Sequence, residues 1–319
     1  MSSPTLSPIT PSNTKIGWIG IGVMGFAMAS RLISAGYTLT FYARTASKGE
    51  PLLALGAQLA ASPADVARSS NIVFTMLGHP EDVRQIVLAK ETGVLAGLSA
   101  NGIIVDHTSS HPELAKEIYS AAREKRCWAV DAPVSGGDVG ARDGNLTIFA
   151  GGEIQIVSWL SPLLEIMGSK VSYMGGAGSG QSCKIANQIV VGANLLGLSE
   201  GLVFAGEVGL DKSRWMEAVQ GGAAGSKVME LFGQRMIDRD FRPGGFAEYM
   251  VKDMGMGVDF VERRKGDDEN KVVVMPGASI TKQLFSGMVA NGDGKLGTQG
   301  LITVIERING ISDVGRLTG

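Results

Sequence analysis

Residues 15–29, Lys15-Ile-Gly-Trp-Ile-Gly-Ile-Gly-Val-Met-Gly-Phe-Ala-Met-Ala29, decide the fold of this chain. Lys15 to Ile19 reads as a buried strand, Val23 to Ala35 as a helix closed by Gly36, and Thr38 to Tyr42 as a second strand. Gly20, Gly22 and Gly25 therefore fall where a strand turns into a helix. The first permits a tight turn, the second lets a pyrophosphate approach bare backbone, and the third lets the helix pack close to the sheet. The helix N-terminus adds free N–H groups and a partial positive charge. The glycine spacing alone also fits an ordinary turn; the strand–loop–helix–strand context points to a dinucleotide. Gly20, Ile21, Gly22, Val23, Met24 and Gly25 form the expected cofactor loop, with Met76 and Leu77 at the end of a later strand as further contacts.

The end of the second strand indicates which dinucleotide. NAD-binding chains usually place an acid there, about twenty residues past the loop, to bind the ribose 2′-hydroxyl. This chain reads Tyr42-Ala-Arg-Thr-Ala-Ser-Lys48, with no acid. Arg44 can stack on adenine and pair with a 2′-phosphate, helped by the hydroxyls of Thr45 and Ser47 and the charge of Lys48. NADP(H) is favoured, with NAD(H) as the alternative and a solvated basic turn as the bland reading.

Composition narrows the class. A chain of 319 residues is one large domain or two ordinary ones, with ample length to bury a core. A net charge of −2 with both signs scattered gives no sign of nucleic-acid or membrane-surface binding. Two cysteines, Cys127 and Cys183, imply a reducing compartment rather than a disulfide scaffold. They and the three histidines are not clustered, so no metal site is expected. Residues 1–14, rich in Ser, Thr and Pro without Arg or Lys, read as a disordered leader. That leader has neither the apolar core of a secretory signal nor the Arg of a mitochondrial presequence. The cytoplasm is the expected compartment, with the mitochondrion as the alternative.

From Lys15 to about Met174, strands alternate with helices. Further strands are expected over Ile72–Met76, Ile103–Asp106, Trp128–Asp131, Leu146–Ala150 and Val171–Met174. Helices are expected after Ser62, over Pro80–Leu88, and from a Ser110-His-Pro-Glu113 capping box to Glu124. This is an α/β, Rossmann-type, doubly wound sheet, assigned to residues 15–177. After Gly175–Gly180 the pattern is helical, and residues 178–319 read as an all-helical substrate and dimerisation domain. Its first helix, Gln181 to Val208, is long enough to span a bilayer. Lys184, Asn187, Gln188, Asn194 and Glu200 make it a buried interdomain helix instead. Asp267-Asp-Glu269 reads as an exposed acidic loop without a function.

Two constellations carry chemistry. Lys184, Asn187 and Gln188 share one helical face at the start of that helix. A lysine in an apolar segment is costly unless it has a partner or a task. Burial and the helix N-terminus both disfavour its charge, which suits Lys184 to proton transfer to a carbonyl oxygen. The alternative is a lysine reaching from a helix start to water. Ser135, Gly136 and Gly137 follow the strand ending at Asp131, where a hydroxyl and backbone N–H groups can hold a carboxylate. Thr108 and Ser109 end another strand beside the expected nicotinamide ribose. His79, His107 and His111 read as loop or cap residues.

Three motifs together resemble the β-hydroxyacid dehydrogenases, a family that includes 3-hydroxyisobutyrate dehydrogenases and glyoxylate or succinic semialdehyde reductases. They are Ile19-Gly-Ile-Gly-Val-Met-Gly25, Asp131-Ala-Pro-Val-Ser-Gly-Gly137 with Gly140-Ala-Arg-Asp-Gly-Asn-Leu-Thr147, and Gly178-Ser-Gly-Gln-Ser-Cys-Lys-Ile-Ala-Asn-Gln188. The likeness covers nearly all of residues 15–310 and is nearest to the plant-type 3-hydroxyisobutyrate dehydrogenase-like members. It implies that Lys184 is the catalytic lysine, with Asn187 and Gln188 beside it. It implies that Ser135, Gly136 and Gly137 hold the substrate carboxylate, that Lys252 is a second lysine near substrate and cofactor, and that Ser109 contacts the cofactor. The Arg44 segment resembles the NADP-preferring glyoxylate reductases, and the family points to a homodimer or homotetramer.

The chain departs from the family at Asp106-His-Thr-Ser109, where His107 replaces an apolar residue, and at Asn291-Gly-Asp-Gly-Lys-Leu-Gly-Thr298, which puts substrate identity in question. The expected activity is NAD(P)-dependent interconversion of a small β-hydroxy acid and its semialdehyde, or reduction of glyoxylate or succinic semialdehyde. An imine reductase and a catalytically silent NADP(H)-binding paralogue are the alternatives; Lys184 weighs against both.

Overall fold

A run of alternating apolar residues builds the sheet. In the computed structural model, which describes residues 7–264 and 273–311, nine strands form one sheet. They are β1 (Lys15–Ile19), β2 (Thr38–Tyr42), β3 (Gln58–Leu59), β4 (Ile72–Thr75), β5 (Ile103–Asp106), β6 (Trp128–Asp131), β7 (Val134–Ser135), β8 (Thr147–Gly151) and β9 (Lys170–Gly175). Their order is β3-β2-β1-β4-β5-β6-β8-β7, with β9 paired to β8. Pairing is parallel from β3 through β6, whereas β8 runs antiparallel to β6 and β7. The chain leaves β1 toward β2 on one side and returns to β4 on the other. The order therefore reverses between β1 and β4, where such sheets open a crevice beyond their carboxyl ends.

Both faces of the sheet are covered. Ile16, Trp18, Ile72, Phe74, Ile103 and Val105 pack on one face against α1 (Val23–Ser34), α7 (Gly137–Asp143) and α8 (Ile154–Met167). Ile19, Val73, Ile104 and Ala129 face the other way, toward α3 (Pro63–Arg68), α4 (Pro80–Leu88), α5 (Val94–Gly97) and α6 (Pro112–Glu124); the short α2 (Glu50–Ala54) precedes β3. Burying a side chain such as Phe74 or Ile72 contributes roughly 1.5–3 kcal/mol, so strand periodicity and stability have one cause.

The chain divides into two units, residues 1–184 and 185–319. Among the described residues the second holds no named strand. It is built from most of α9 (Ser179–Glu207), α10 (Lys212–Val219), α11 (Lys227–Ile237), α12 (Ala247–Arg264), α13 (Pro276–Ala290) and α14 (Leu301–Ile308). Among the described residues, α9 alone is long and apolar enough to cross a membrane. Leu195, Leu198 and Leu202 instead enter the core of this helical unit with Met254, Phe285 and Ile302. A Cβ on Gly192 would stand 2.9 Å from Thr281, which explains a glycine in that helix.

The first turns of α9 are hydrogen-bonded to the sheet unit, and the two compact units divide after Lys184. Three expectations need correction. Residues 7–14 are not a disordered leader: Trp159 Nε1 donates to the Ser7 carbonyl at 2.9 Å, Asn13 Nδ2 to that of Pro8 at 2.8 Å, and Thr14 is buried. Residues 1–6 and Asp267-Asp-Glu269 lie outside the described residues. Helix α6 is capped by His111, whose Nδ1 accepts from the Glu113 N–H at 3.2 Å, not by Ser110, whose N–H turns inward to Gln181. Finally, His107, in the loop directly after β5, is fully buried and packs as part of the core rather than as a loop or cap residue alone.

Candidate active site

The turn after β1 is shaped by what a side chain would hit. Gly20 has φ +97°, and a Cβ there would stand 2.1 Å from the Met76 carbonyl oxygen. A Cβ on Gly25 would stand 1.9 Å from the Gly20 carbonyl oxygen, so α1 can approach the turn only with glycine there. That carbonyl accepts from Trp18 Nε1 at 2.9 Å. Gly22 is different: nothing lies within 4 Å of the Cβ position, and α1 starts at Gly22 with no side-chain cap and no acid in its first turn. This cradle fits a pyrophosphate, because the unfilled N–H groups and the open approach coincide. Ile21, Val23 and Met24 line the same turn, and Met76 lies beside it, its N–H donating to the Ile19 carbonyl at 2.9 Å. The Leu77 N–H donates to Thr108 Oγ1 at 2.8 Å, which joins the loops after β4 and β5.

At the end of β2, Arg44, Thr45, Ser47 and Lys48 are all exposed, Lys48 within a single 3-10 turn over Ala46–Gly49. The Arg44 guanidinium stands 3.9 Å from Asp82 at the start of α4. An exposed pair at that separation is weak, so the guanidinium can turn to a stronger anion.

On the neighbouring strands, β7 carries Ser135, and the next two residues take positive φ, +132° at Gly136 and +64° at Gly137. Both glycines are exposed, and a turn of this kind can present successive N–H groups to an anion. Asp106 and Asp131 pair across β5 and β6. Asp106 accepts from Thr75 Oγ1 at 2.7 Å and from the Thr108 N–H at 3.0 Å. Asp131 accepts from the Gly178 and Gln181 N–H groups, each at 2.8 Å, so it caps the start of α9. Burial pushes the Asp131 carboxyl up to about 6; the two N–H donors pull it down, and the Asp106 charge adds a smaller upward push.

The Gln181 carboxamide, fully buried, donates to the Thr108 carbonyl at 2.7 Å and accepts from the Ser110 N–H at 2.8 Å. It thus spans Ser109. Lys184 comes three residues later, 8% exposed. In the helical unit, Asn187 Nδ2 donates to Gln188 Oε1 at 3.1 Å, and Gln188 Nε2 donates to Asp253 at 2.8 Å. Lys252 lies 3.1 Å from the same Asp253 carboxylate. Within the sheet unit, Met76 meets the turn at Gly20, Leu77 joins the Ser109 loop through Thr108, Lys184 follows the Gln181 clasp on that loop, and Ser135–Gly137 lie at the end of β7 and the start of α7; in the helical unit Gln188 and Lys252 meet through Asp253. Asp131, Gln181 and His107 were not among the expected site residues, whereas Thr108 was expected beside the nicotinamide ribose. Asp131 sits in the quoted motif, and Gln181 is a polar residue opening an apolar helix, the two available signals.

Comparison with known proteins agrees with this geometry. Residues 15–175 match the family model of the NAD binding domain of 6-phosphogluconate dehydrogenase, and residues 178–305 match that of NADP-dependent 3-hydroxyisobutyrate dehydrogenase. A probable 3-hydroxyisobutyrate dehydrogenase-like 3, mitochondrial, of Arabidopsis thaliana is 56% identical over 98% of this chain and 93% of its own. The 2-hydroxy-3-oxopropionate reductase of Escherichia coli is 34% identical over 92% of this chain and 97% of its own. The solved structure of Mycobacterium tuberculosis 3-hydroxyisobutyrate dehydrogenase with L-serine superposes with a TM-score of 0.81 at 25% identity, covering 92% of this chain and 99% of that one.

Proposed function

The chain belongs to the β-hydroxyacid dehydrogenase family and is an NAD(P)-dependent hydroxyacid oxidoreductase, and on that footing we propose that Lys184 is its proton donor and acceptor toward a small acid of the 3-hydroxyisobutyrate, glyoxylate or succinic semialdehyde class. The Gly20–Gly25 turn would hold the pyrophosphate of a nicotinamide cofactor, which would supply a hydride in reduction and take one in oxidation. Lys184 stabilises the negative charge that grows on the carbonyl oxygen and delivers a proton to it. In oxidation the neutral amine removes the hydroxyl proton, so that direction is favoured at higher pH. Ser135, Gly136 and Gly137 hold the carboxylate, and Asn187, three residues beyond Lys184 on the same face of α9, orients the lysine. What carries the reading is a buried lysine three residues from a side chain that spans Ser109.

The test compares Lys184→Ala and Asn187→Ala with the parent in NADPH binding and in turnover of glyoxylate, succinic semialdehyde and 3-hydroxyisobutyrate. Lys184→Ala is expected to keep cofactor affinity and lose turnover by ~10²–10⁴-fold, with a smaller loss for Asn187→Ala. A folded, cofactor-competent Lys184→Ala within a few-fold of parent turnover removes the lysine from the mechanism.

The same reading makes Arg44, with Thr45 and Lys48, the NADP determinant. One charge-assisted contact is worth about 1.5–3 kcal/mol, so Arg44→Ala should weaken NADPH binding and leave NADH binding nearly unchanged. Equal losses for both cofactors, or a parent enzyme that prefers NADH, would exclude this role. Three Arabidopsis relatives carry mitochondrial in their names, which favours the mitochondrion over the cytoplasm; imaging of the full-length chain with a C-terminal tag decides it.

A further inference from the structure

Lys184 is only as well placed as the turn that carries it. That turn is fastened at two points, both within the sheet unit. At the first, the Asp131 carboxylate takes the Gly178 and Gln181 N–H groups, and its surroundings are closed to side chains. A Cβ on Gly180 would stand 2.3 Å from the Phe149 carbonyl oxygen and 2.6 Å from that of Asp131; one on Gly151 would stand 2.7 Å from Asp131 Oδ1. Helix α9 therefore meets β6 and β8 backbone to backbone. At the second point, the Gln181 carboxamide uses one donor and its acceptor on the backbone either side of Ser109. The same loop is tied by Thr108 Oγ1 to the Leu77 N–H and by the Thr108 N–H to Asp106.

We propose that Gln181 is a positioning residue that sets Lys184 in register with the Ser109 loop, so that the proton donor and the expected nicotinamide end of the cofactor site move as one body. The chemistry requires this side chain. At neutral pH a carboxamide of this length is at once a neutral donor and an acceptor at fixed spacing, which an ionised carboxylate is not, and both backbone partners are buried, so each would be costly to strand. Asp131 fixes where the helix starts; Gln181 fixes the loop to it. A lysine displaced by a fraction of an ångström from its reacting oxygen loses rate while binding is kept.

The inference rests on Lys184 as the proton donor, and the experiment separates the two. Gln181→Met keeps the volume and loses both bonds. Gln181→Glu is isosteric and, when protonated, can again donate to the Thr108 carbonyl and accept from the Ser110 N–H. Each is compared with the parent and Lys184→Ala, using whichever of glyoxylate, succinic semialdehyde or 3-hydroxyisobutyrate the parent turns over fastest. Gln181→Met is expected to lose kcat by ~10–100-fold, with KM and the NADPH Kd each within about threefold of the parent. Gln181→Glu is expected to regain kcat relative to Gln181→Met as pH falls from 8 to 6.

The charged and titratable groups on the elements joined here are Asp131 on β6, Asp106 and His107 at the end of β5, His111 and Lys116 at the start of α6, and Cys183 and Lys184 on α9. They are common to both variants, so the difference in pH profile belongs to residue 181. If Gln181→Met does not fold, the kcat loss, the KM–kcat split and the gain at low pH are read on Gln181→Glu against the parent. Folded variants with parent-like kcat, or with kcat, KM and Kd declining together, or a Gln181→Glu profile that gains nothing at low pH, overturn the positioning role. Retained turnover in Lys184→Ala overturns the underlying reading instead.

Discussion

His107 is the residue at which this chain leaves its family's pattern, and its surroundings account for a histidine there. Its ring stacks parallel on Phe74, with centroids 5.5 Å apart, and lies 6.2 Å from Trp18. Its Nδ1 lies 2.6 Å from the Ala132 carbonyl oxygen, the last step before the Ser135–Gly137 loop, and donates to it in the neutral ring. Burial pushes the imidazole down to about 4, opposed by that carbonyl. Between about 4 and 6.5 the unfolded chain binds a proton here that the folded chain does not, so this contribution to stability is present above 6.5 and lost as pH falls through 4. Asp131, raised to about 6, has the opposite sign: its contribution is present below the usual carboxylate range and lost as pH rises through 6. Two buried groups thus offset one another across the mildly acidic range. His107→Phe keeps the stack and strands the Ala132 carbonyl, so at pH 7 it should be less stable by roughly 1–3 kcal/mol. On acidification to pH 4 that gap should close by up to about 3 kcal/mol. Urea unfolding at pH 4, 5, 6 and 7 checks this; parallel curves for variant and parent would show that His107 does not titrate as its burial requires.

Among elements, the turn from β1 to α1 separates a glycine that packing requires from one that only a ligand is expected to require. Gly25→Val should cost roughly 1–3 kcal/mol or more by overpacking, since its Cβ would stand 1.9 Å from the Gly20 carbonyl oxygen and 3.2 Å from Trp18 Nε1. Gly22→Val should melt like the parent and weaken NADPH at least tenfold, about 1.4 kcal/mol, because its branched carbons fill the approach to the N–H groups. Thermal melts and cofactor titrations on both variants check this, and a Gly22→Val that binds NADPH normally would remove the pyrophosphate from that turn. These two glycines were legible in the sequence because their neighbours are local. So were β1, β2, β4, β5 and β6, where four or five residues alternate across a buried sheet. The two-residue strands β3 and β7 are too short to show a period. The clasp of Gln181 on Thr108 joins residues 73 apart, and no local pattern encodes a partner at that distance. His107 was misread for the same reason, since the rings around it arrive from β1 and β4. Lys184 was legible because an isolated charge in an apolar helix stands out by itself; how it is held was not.

At the scale of the whole molecule, the helical unit exposes more apolar surface than an isolated chain comfortably keeps in water. On α9, Val190 and Phe204 are 60% and 67% exposed; Val208 and Leu210 just beyond it and Leu231 on α11 are each more than half exposed. Helix α10 buries none of its side chains fully, yet at eight residues it is too short to persist without packing. Large apolar side chains left this exposed point to an association surface, and a surface that pairs with its own copy closes into a symmetric dimer. We therefore expect a particle of about two or four times the 33.3 kDa chain mass, stable to dilution in light scattering. Phe204→Asp puts a charge on the most exposed aromatic of α9 without touching the core. It should shift the particle toward the single-chain mass while leaving the melt of the sheet unit and its NADPH affinity close to the parent's. A parent that scatters as one chain at every concentration would mean that this apolar surface is covered by something other than a second copy.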